Sequence, residues 1–161
     1  MQEVFLDKAM TLHGDAVYRL ALCRLQNLDD AQDVFQDTFL QLFLEEHALQ
    51  WENERLKAWL LRVAINKCID IGRRRKSHGC ISLDEIPEYA GSTSLDYLEL
   101  WDAVNRLPEK QRTIFHLYYS EGYKTDEIAD ILKIPSSTVR VNLNRARKQL
   151  RKELDDHEYL P

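Results

Sequence analysis

The stretch TDEIADILKIPSSTVRVNLNRARKQL, residues 125–150, decides the fold of the C-terminal half of the chain. Apolar residues recur at helical spacing on both sides of Lys133-Ile134-Pro135, which predicts two short helices joined by a tight turn, the second beginning around Ser136. Helices that cross steeply at such a turn need a small side chain where they touch, and Ala129 fits that place. Val139 then packs the second helix against the first. The stretch therefore predicts a helix-turn-helix.

The outer face of the second helix carries polar and basic side chains. Arginine and asparagine suit guanine and adenine edges in the major groove, whereas serine and lysine suit phosphates. The candidate DNA-binding residues are Ser136, Ser137, Arg140, Asn142, Asn144, Arg145 and Lys148, with Arg147 beside them. The structural alternative is a helical hairpin whose basic end is only solvated.

Over the whole chain, the net charge of −5 conceals a strong segregation of basic and acidic residues into separate segments. Residues 62–76 hold six Lys or Arg against one Asp, and residues 136–153 hold six against one Glu, so each block carries +5. Residues 1–61 hold five basic against eleven acidic side chains, and residues 77–121 hold three against eight. Local basic patches, rather than the total charge, determine DNA binding. The acidic remainder leaves surface for a protein partner.

Apolar residues recur at helical spacing almost throughout the 161 residues, and no run alternates like a strand. Residues 77–94 interrupt this pattern with two glycines, a proline, a Ser-Thr-Ser cluster and three carboxylates, without Lys or Arg. We therefore expect an all-α protein in which two small helical domains, residues 1–76 and 95–155, are joined by a flexible acidic linker.

In the first domain, one predicted helix separates a buried stripe from a polar one. Small or apolar residues at spacings of three, four and four form the buried stripe: Ala31, Val34, Thr38 and Leu42. The exposed stripe consists of Asp33, Gln36 and Asp37. We expect this helix to begin near Asp29, with Gln32 as its capping-box partner. In the next helix, Trp59 falls on an apolar stripe, which favours a core position over a stacking platform.

Several functional classes find no support in the sequence. No apolar run could span a membrane, and the N-terminus lacks the features of a signal peptide, so we expect a cytoplasmic protein. Cys23 and Cys68 have apolar neighbours and are expected in the core. His78-Gly79-Cys80 lacks further ligands, so neither a metal nor a cofactor is expected. No nucleophile–base pair or phosphate-binding glycine loop indicates an enzyme.

Seven segments together resemble the extracytoplasmic-function (ECF) subgroup of bacterial RNA polymerase sigma factors, of the sigma-seventy family. In chain order they are DAQDVFQDTF (30–39), AWLLRVAIN (58–66), DIGRRR (70–75), LPEKQR (107–112), EIA (127–129), TVR (138–140) and RAR (145–147). The resemblance covers both domains in the order of the family. It implies a transcription initiation factor that binds core RNA polymerase and directs it to promoters.

The resemblance also implies residue roles. The stripe of Asp33, Gln36 and Asp37 would dock on the clamp helices of polymerase, and the flap of polymerase would be a further contact of the protein. Asn66 would read a flipped-out base of the minus-ten element. The residues implied to hold the strand backbone there are Lys67, Arg73, Arg74, Arg75 and Lys76. Thr138 joins the residues that would read the minus-thirty-five element. The family implies promoter DNA as a partner, and usually an anti-sigma factor.

Some positions depart from the family pattern. Leu61 stands where an aromatic residue is frequent, and Lys124 replaces the usual serine cap of the helix-turn-helix, leaving Thr125 as the expected cap. Val141, Asn142 and Asn144 also differ, so promoter specificity does not carry over.

Two other functions stay open at this point. One is a stand-alone helix-turn-helix regulator with residues 1–76 as a dimerisation or sensor domain, which would bind palindromic operators without polymerase. The other is an enzyme with a DNA-binding tail, which would need a polar pocket in the first domain.

Overall fold

A computed structural model describes the backbone of residues 1–78 and 95–154, with side chains described for 1–75 and 99–154. Within these ranges the regular elements are all helical, and the chain divides into two compact units, Met1–Pro87 and Glu88–Pro161. The prediction of an all-α fold with two helical domains is therefore confirmed. The predicted linker lies outside the described residues, apart from residues 77 and 78, which continue a helix of the first unit.

The first unit is a bundle of three helices in which each helix packs on the other two. The helices are α1 (Gln2–Leu25), α2 (Leu28–Leu44) and α3 (Asn53–His78), with a 3₁₀ turn (Glu46–Gln50) between the last two. Leu20 of α1, Leu42 of α2 and Leu60 of α3 are almost fully buried in the centre. Cys23 and Cys68 are buried free thiols, as expected from their apolar neighbours.

The predicted stripes of α2 are confirmed and the helix begins near Asp29 as expected, but the predicted capping residue is wrong. Ala31, Val34, Thr38 and Leu42 are buried. Gln26 adopts a left-handed conformation (φ 54°) that ends α1, so the next residue, Asn27, already caps α2, which begins at Leu28. The buried Asn27 is extended, and its Oδ1 accepts a hydrogen bond of 2.9 Å from the amide of Asp30. Asp29 instead lies in the first turn, where a carboxylate interacts favourably with the helix dipole.

Between residues 95 and 154 the second unit contains four helices, and the last of them packs on the other three. They are α4 (Leu95–Asn105), α5 (Glu109–Tyr119), α6 (Thr125–Leu132) and α7 (Ser136–Glu153). The buried guanidinium of Arg112 donates to the carbonyl of Leu107 over 2.9 Å, which fixes the corner between α4 and α5. After α5, Gly122 takes a positive φ of 77° in the turn to α6.

Candidate functional site

The outer face of α2 brings together the three residues expected to dock on a protein partner. Asp33, Gln36 and Asp37 are all exposed, while the intervening Val34 is buried. Their side chains therefore form one polar surface with two carboxylates.

The same face continues into apolar residues that the sequence reasoning missed. Leu40 and Leu44 follow Asp33 and Asp37 by seven residues each, which places them on the same side of the helix. Their exposed fractions are 59% and 71%, and Phe43 beside them is 39% exposed. Three exposed large apolar side chains in one turn and a half are unusual for a solvated helix. The signal was present in the sequence, because these leucines fall outside the buried stripe of α2.

On α3, the polar residues expected at the minus-ten element occupy two neighbouring stripes. Asn66 and Arg73 are exposed and seven residues apart, so they share one face. The neighbouring face of α3 carries Lys67, which is half-buried, and Arg74, which is exposed. The side chain of Lys76 lies outside the described part of the chain.

Arg75 differs from the other basic residues of α3. Its guanidinium forms an ion pair with the carboxylate of Asp30 in α2, and both side chains are largely buried. The pair ties the basic end of α3 to the first turn of α2. Arg75 thus has an intramolecular partner, which a contact with DNA would have to replace.

Trp59 is half-buried rather than a core residue, because it lies on the edge of the α3 stripe instead of at its centre. It stands seven residues before Asn66 and so shares the face of that residue. The ring centroids of Trp59 and Trp51 are 5.5 Å apart, and the guanidinium of Arg55 lies 4.7 Å from the ring centroid of Trp51. An aromatic surface therefore adjoins the polar face of α3.

The predicted helix-turn-helix is formed by α6 and α7. Lys133 takes a left-handed conformation (φ 55°) at the end of α6, and the amide of Ile134 donates to the carbonyl of Ala129 over 3.1 Å. Ala129 and Val139 are buried where the helices meet, as predicted.

The prediction that Thr125 caps α6 is wrong. Thr125 is the first residue of the helix, and Lys124 occupies the capping position. The backbone amide of Lys124 donates to the Glu127 carboxylate over 2.9 Å, so a glutamate satisfies this end of the helix.

Fewer polar side chains of α7 are exposed on one side of the helix than its sequence indicates. Ser137, Arg140 and Asn144 are exposed and lie on one side of the helix. Val141, which the sequence reasoning did not select, is 45% exposed on the adjoining side. An exposed valine can contact the methyl group of thymine.

Other selected polar residues of α7 have intramolecular partners. The hydroxyl of Ser136 donates to Asp126 of α6 over 2.7 Å. The half-buried amide of Asn142 donates to the carbonyl of Thr138 over 2.8 Å, and thus does not stand free on the outer face as expected. These bonds stabilise the start of α7.

Arg145 and Lys148 face a different direction from Arg140. They are exposed and line a cavity of about 530 Å³. Two further basic residues, Arg106 and Lys152, line the same cavity.

Two exclusions apply to the described residues. No three histidine, cysteine or carboxylate side chains among them are grouped closely enough to hold a metal ion. Within the same part of the chain, no helix has the length and apolar character needed to cross a membrane. Cys80 and the side chain of His78 lie outside this part.

The helix-turn-helix and the basic helix faces define the class of an all-helical DNA-binding protein, which also exposes a carboxylate-bearing face on α2. Residues 9–78 match the family described as Sigma-70 region 2, and residues 97–150 match Sigma-70, region 4. The chain is 31% identical to the ECF RNA polymerase sigma factor SigW of Bacillus subtilis, over 96% of this chain and 91% of that protein. The RNA polymerase sigma factor SigV of the same organism is 29% identical, with 94% and 92% covered.

Two solved structures resemble the fold. The sigma factor RpoE, in complex with the anti-sigma factor NepR from Bartonella quintana, aligns with a TM-score of 0.76 at 24% identity, over 94% of this chain and 98% of that one. CnrH, in complex with the cytosolic domain of CnrY, aligns with a TM-score of 0.65 at 25% identity, over 95% and 89%. The chain belongs to the ECF sigma factors of the sigma-70 family: it is a transcription initiation factor that directs RNA polymerase to promoters.

Proposed function

We propose that residues 1–76 dock on core polymerase and melt the minus-ten element, that residues 77–94 connect the units, and that residues 95–155 read the minus-thirty-five element. The observation that carries this division is the separation of charge. The acidic face of α2 and the basic end of α3 belong to the first unit, whereas the basic α7 belongs to the second. Each unit thus has a cationic surface of its own for DNA.

The polymerase contact is proposed on the outer face of α2. Asp33, Gln36 and Asp37 give hydrogen bonds and charge complementarity to a basic partner such as the clamp helices. The exposed Leu40 and Leu44 extend this face with apolar area. An apolar centre beside charged residues is the usual composition of a protein interface.

The minus-ten contact is proposed on the face of α3 that carries Asn66 and Arg73. An exposed amide can hydrogen-bond the edge of an unstacked base, and flanking Lys67 and Arg74 can hold the strand backbone. The half-exposed Trp59 lies on the same face and offers an aromatic surface for a base. Arg75 acts through its ion pair with Asp30 rather than on DNA.

The minus-thirty-five contact is proposed on α7 with a division of labour. Arg140, Val141 and Asn144 face base edges, while Ser137 contacts the DNA backbone. Arg145 and Lys148 contribute to phosphate binding. Ser136, Thr138 and Asn142 keep a supporting role, since the amide of Asn142 and the hydroxyl of Ser136 are bonded within the unit.

We further propose that the protein has no catalytic activity of its own and acts in the cytoplasm, where polymerase and promoter DNA are found. The flap of polymerase is the proposed partner of the second unit. An anti-sigma factor is a proposed regulatory partner, because RpoE and CnrH were solved with NepR and CnrY.

Transcription in vitro from a genomic library, with core polymerase and with or without the protein, tests the function and yields a target promoter. On that promoter, we expect Leu44→Asp to weaken polymerase association. We expect Asn66→Ala to leave association intact but to reduce permanganate reactivity of the melted strand. Gln50→Ala, which changes an exposed amide outside α2 and α3, is the matched control. Tight binding to palindromic DNA without polymerase would instead favour the stand-alone regulator.

A further inference from the structure

The cavity of about 530 Å³ in the second unit lies where the end of α4, the start of α5 and the last turns of α7 meet. Its polar lining consists of Arg106, Gln111, Arg145, Lys148, Gln149 and Lys152, with Pro108 at its apolar wall. Four cations and two amides therefore line one space, and no carboxylate among the described residues lines it.

One carboxylate stands beside this space. Glu153 accepts a hydrogen bond of 3.1 Å from Arg106 and one of 2.9 Å from Gln149. The hydrogen bond from Gln149 and the pairing with Arg106 hold the pKa of Glu153 below its ordinary value, so it is ionised at neutral pH. Glu153 thus compensates one cation of the four.

In the part of the chain that the structure describes, the three other cations have no such compensation. Among the described residues, Arg145, Lys148 and Lys152 form no ion pair with a carboxylate. Like charges held around one cavity repel each other, and a bound anion would remove that repulsion. Guanidinium, ammonium and amide donors together suit the oxygen atoms of a phosphate.

We propose that this cavity is a phosphate-binding site, filled by a backbone phosphate of the DNA beside the bases that α7 reads. Lys148 follows Asn144 by one helical turn, so the cavity adjoins the proposed base-reading face. Arg106, Gln111 and Lys152 join the DNA-contacting residues, and Glu153 competes with the phosphate for Arg106. The assignment of the phosphate to DNA rests on the proposed function of α7. The proposal that the cavity binds a phosphate does not depend on that function.

The first experiment tests the site without DNA. Inorganic pyrophosphate is titrated into the full-length, ¹⁵N-labelled protein, and the side-chain amide signals of Gln111 and Gln149 are followed by NMR. We expect saturable shifts that Lys152→Gln weakens at least threefold. Lys110→Gln, the same charge change at an exposed residue that does not line the cavity, should leave them unchanged. Glu153→Gln should tighten binding severalfold, because it removes the competing charge.

The second experiment identifies the source of the phosphate. The affinity of a 20-base-pair duplex is measured against salt concentration, and each lost phosphate contact lowers the logarithmic slope by about one. We expect this decrease for Lys152→Gln and not for Lys110→Gln.

An unchanged duplex slope together with pyrophosphate shifts would support the site but overturn its assignment to DNA in favour of a free phosphate ligand. Absence of saturable shifts, or equal loss in Lys110→Gln, would overturn the site. A failure of the proposed function is detected by a different experiment. If α7 does not read the promoter, Arg140→Ala leaves promoter binding unchanged, whatever the pyrophosphate titration shows.

Discussion

Arg140 and Arg147 lie two turns apart on α7, and we expect their replacement by alanine to affect different properties. Arg140→Ala should lower promoter affinity, whereas Arg147→Ala should lower stability. Arg140 is exposed and, within the described residues, makes no hydrogen bond or ion pair. Removing it should change the free energy of unfolding by less than about 0.5 kcal/mol. If it reads a guanine, the promoter affinity should fall by about 1–3 kcal/mol, roughly 5- to 150-fold.

Arg147 is held within the domain instead. Its Nε donates to the Tyr119 hydroxyl over 2.7 Å, and its guanidinium lies 5.3 Å from the ring centroid of Tyr118. An exposed hydrogen bond contributes about 0.5–1.5 kcal/mol, and an exposed cation–π contact about 0.5–1 kcal/mol. Arg147→Ala should therefore destabilise the second unit by about 1–2 kcal/mol, which lowers Tm by roughly 4–16 °C in a domain of this size.

Thermal unfolding, monitored by circular dichroism, measures the effect on stability. Fluorescence anisotropy with the selected promoter duplex measures the effect on promoter affinity. Arg140→Lys is the control, because lysine keeps the charge but not the bidentate geometry. It should retain the salt dependence and lose affinity for the promoter. A loss of stability in Arg140→Ala, or an unchanged Tm in Arg147→Ala, would contradict the assignment of the two arginines.

Three further predictions concern the first unit. The buried Thr38 hydroxyl has no hydrogen-bond partner among the described residues. Thr38→Val should therefore raise the free energy of unfolding, measured by urea titration, by about 1 kcal/mol. A decrease would show that the hydroxyl is hydrogen-bonded in the folded protein. Burial, assisted by Lys57, lowers the pKa of His13 below that of the unfolded chain. The unfolded state therefore binds the proton more readily, and stability should be full above about pH 6.5 and decrease as the pH falls below it, a dependence that His13→Gln should reduce. The Asp30–Arg75 pair should show a coupling of about 0.5–1 kcal/mol in a double-mutant cycle, and Asp30→Arg with Arg75→Asp should recover part of the stability lost by either change alone.

The parts of the fold that follow from periodic patterns were predictable from the sequence. The buried stripe of α2 and the tight turn of the helix-turn-helix depend on residues within one or two turns of each other. The helix starts were less predictable. Asn27 caps α2 because Gln26 turns left-handed, a backbone conformation that the sequence did not signal.

The candidate site was predictable as a set of surfaces but not as a set of contacts. Asp33, Gln36 and Asp37 are exposed together because helical spacing fixes their direction. The partners of Arg75 and Arg147 lie on other helices, and such pairs depend on how the helices pack, which residue spacing does not determine.

The division of α7 shows why a basic block overstates the number of DNA contacts. Six cations of residues 136–153 read as one patch in the sequence, yet Arg147 is bound to tyrosine and the others point in different directions around the helix. Arg140 lies on the proposed base-reading side, while Arg145, Lys148 and Lys152 line the cavity. Because a straight duplex meets only one side of a helix at full depth, the cavity residues can contact DNA only along its backbone. The salt dependence of binding should therefore come mainly from the cavity side of α7, and sequence preference from the adjoining side that carries Arg140 and Asn144.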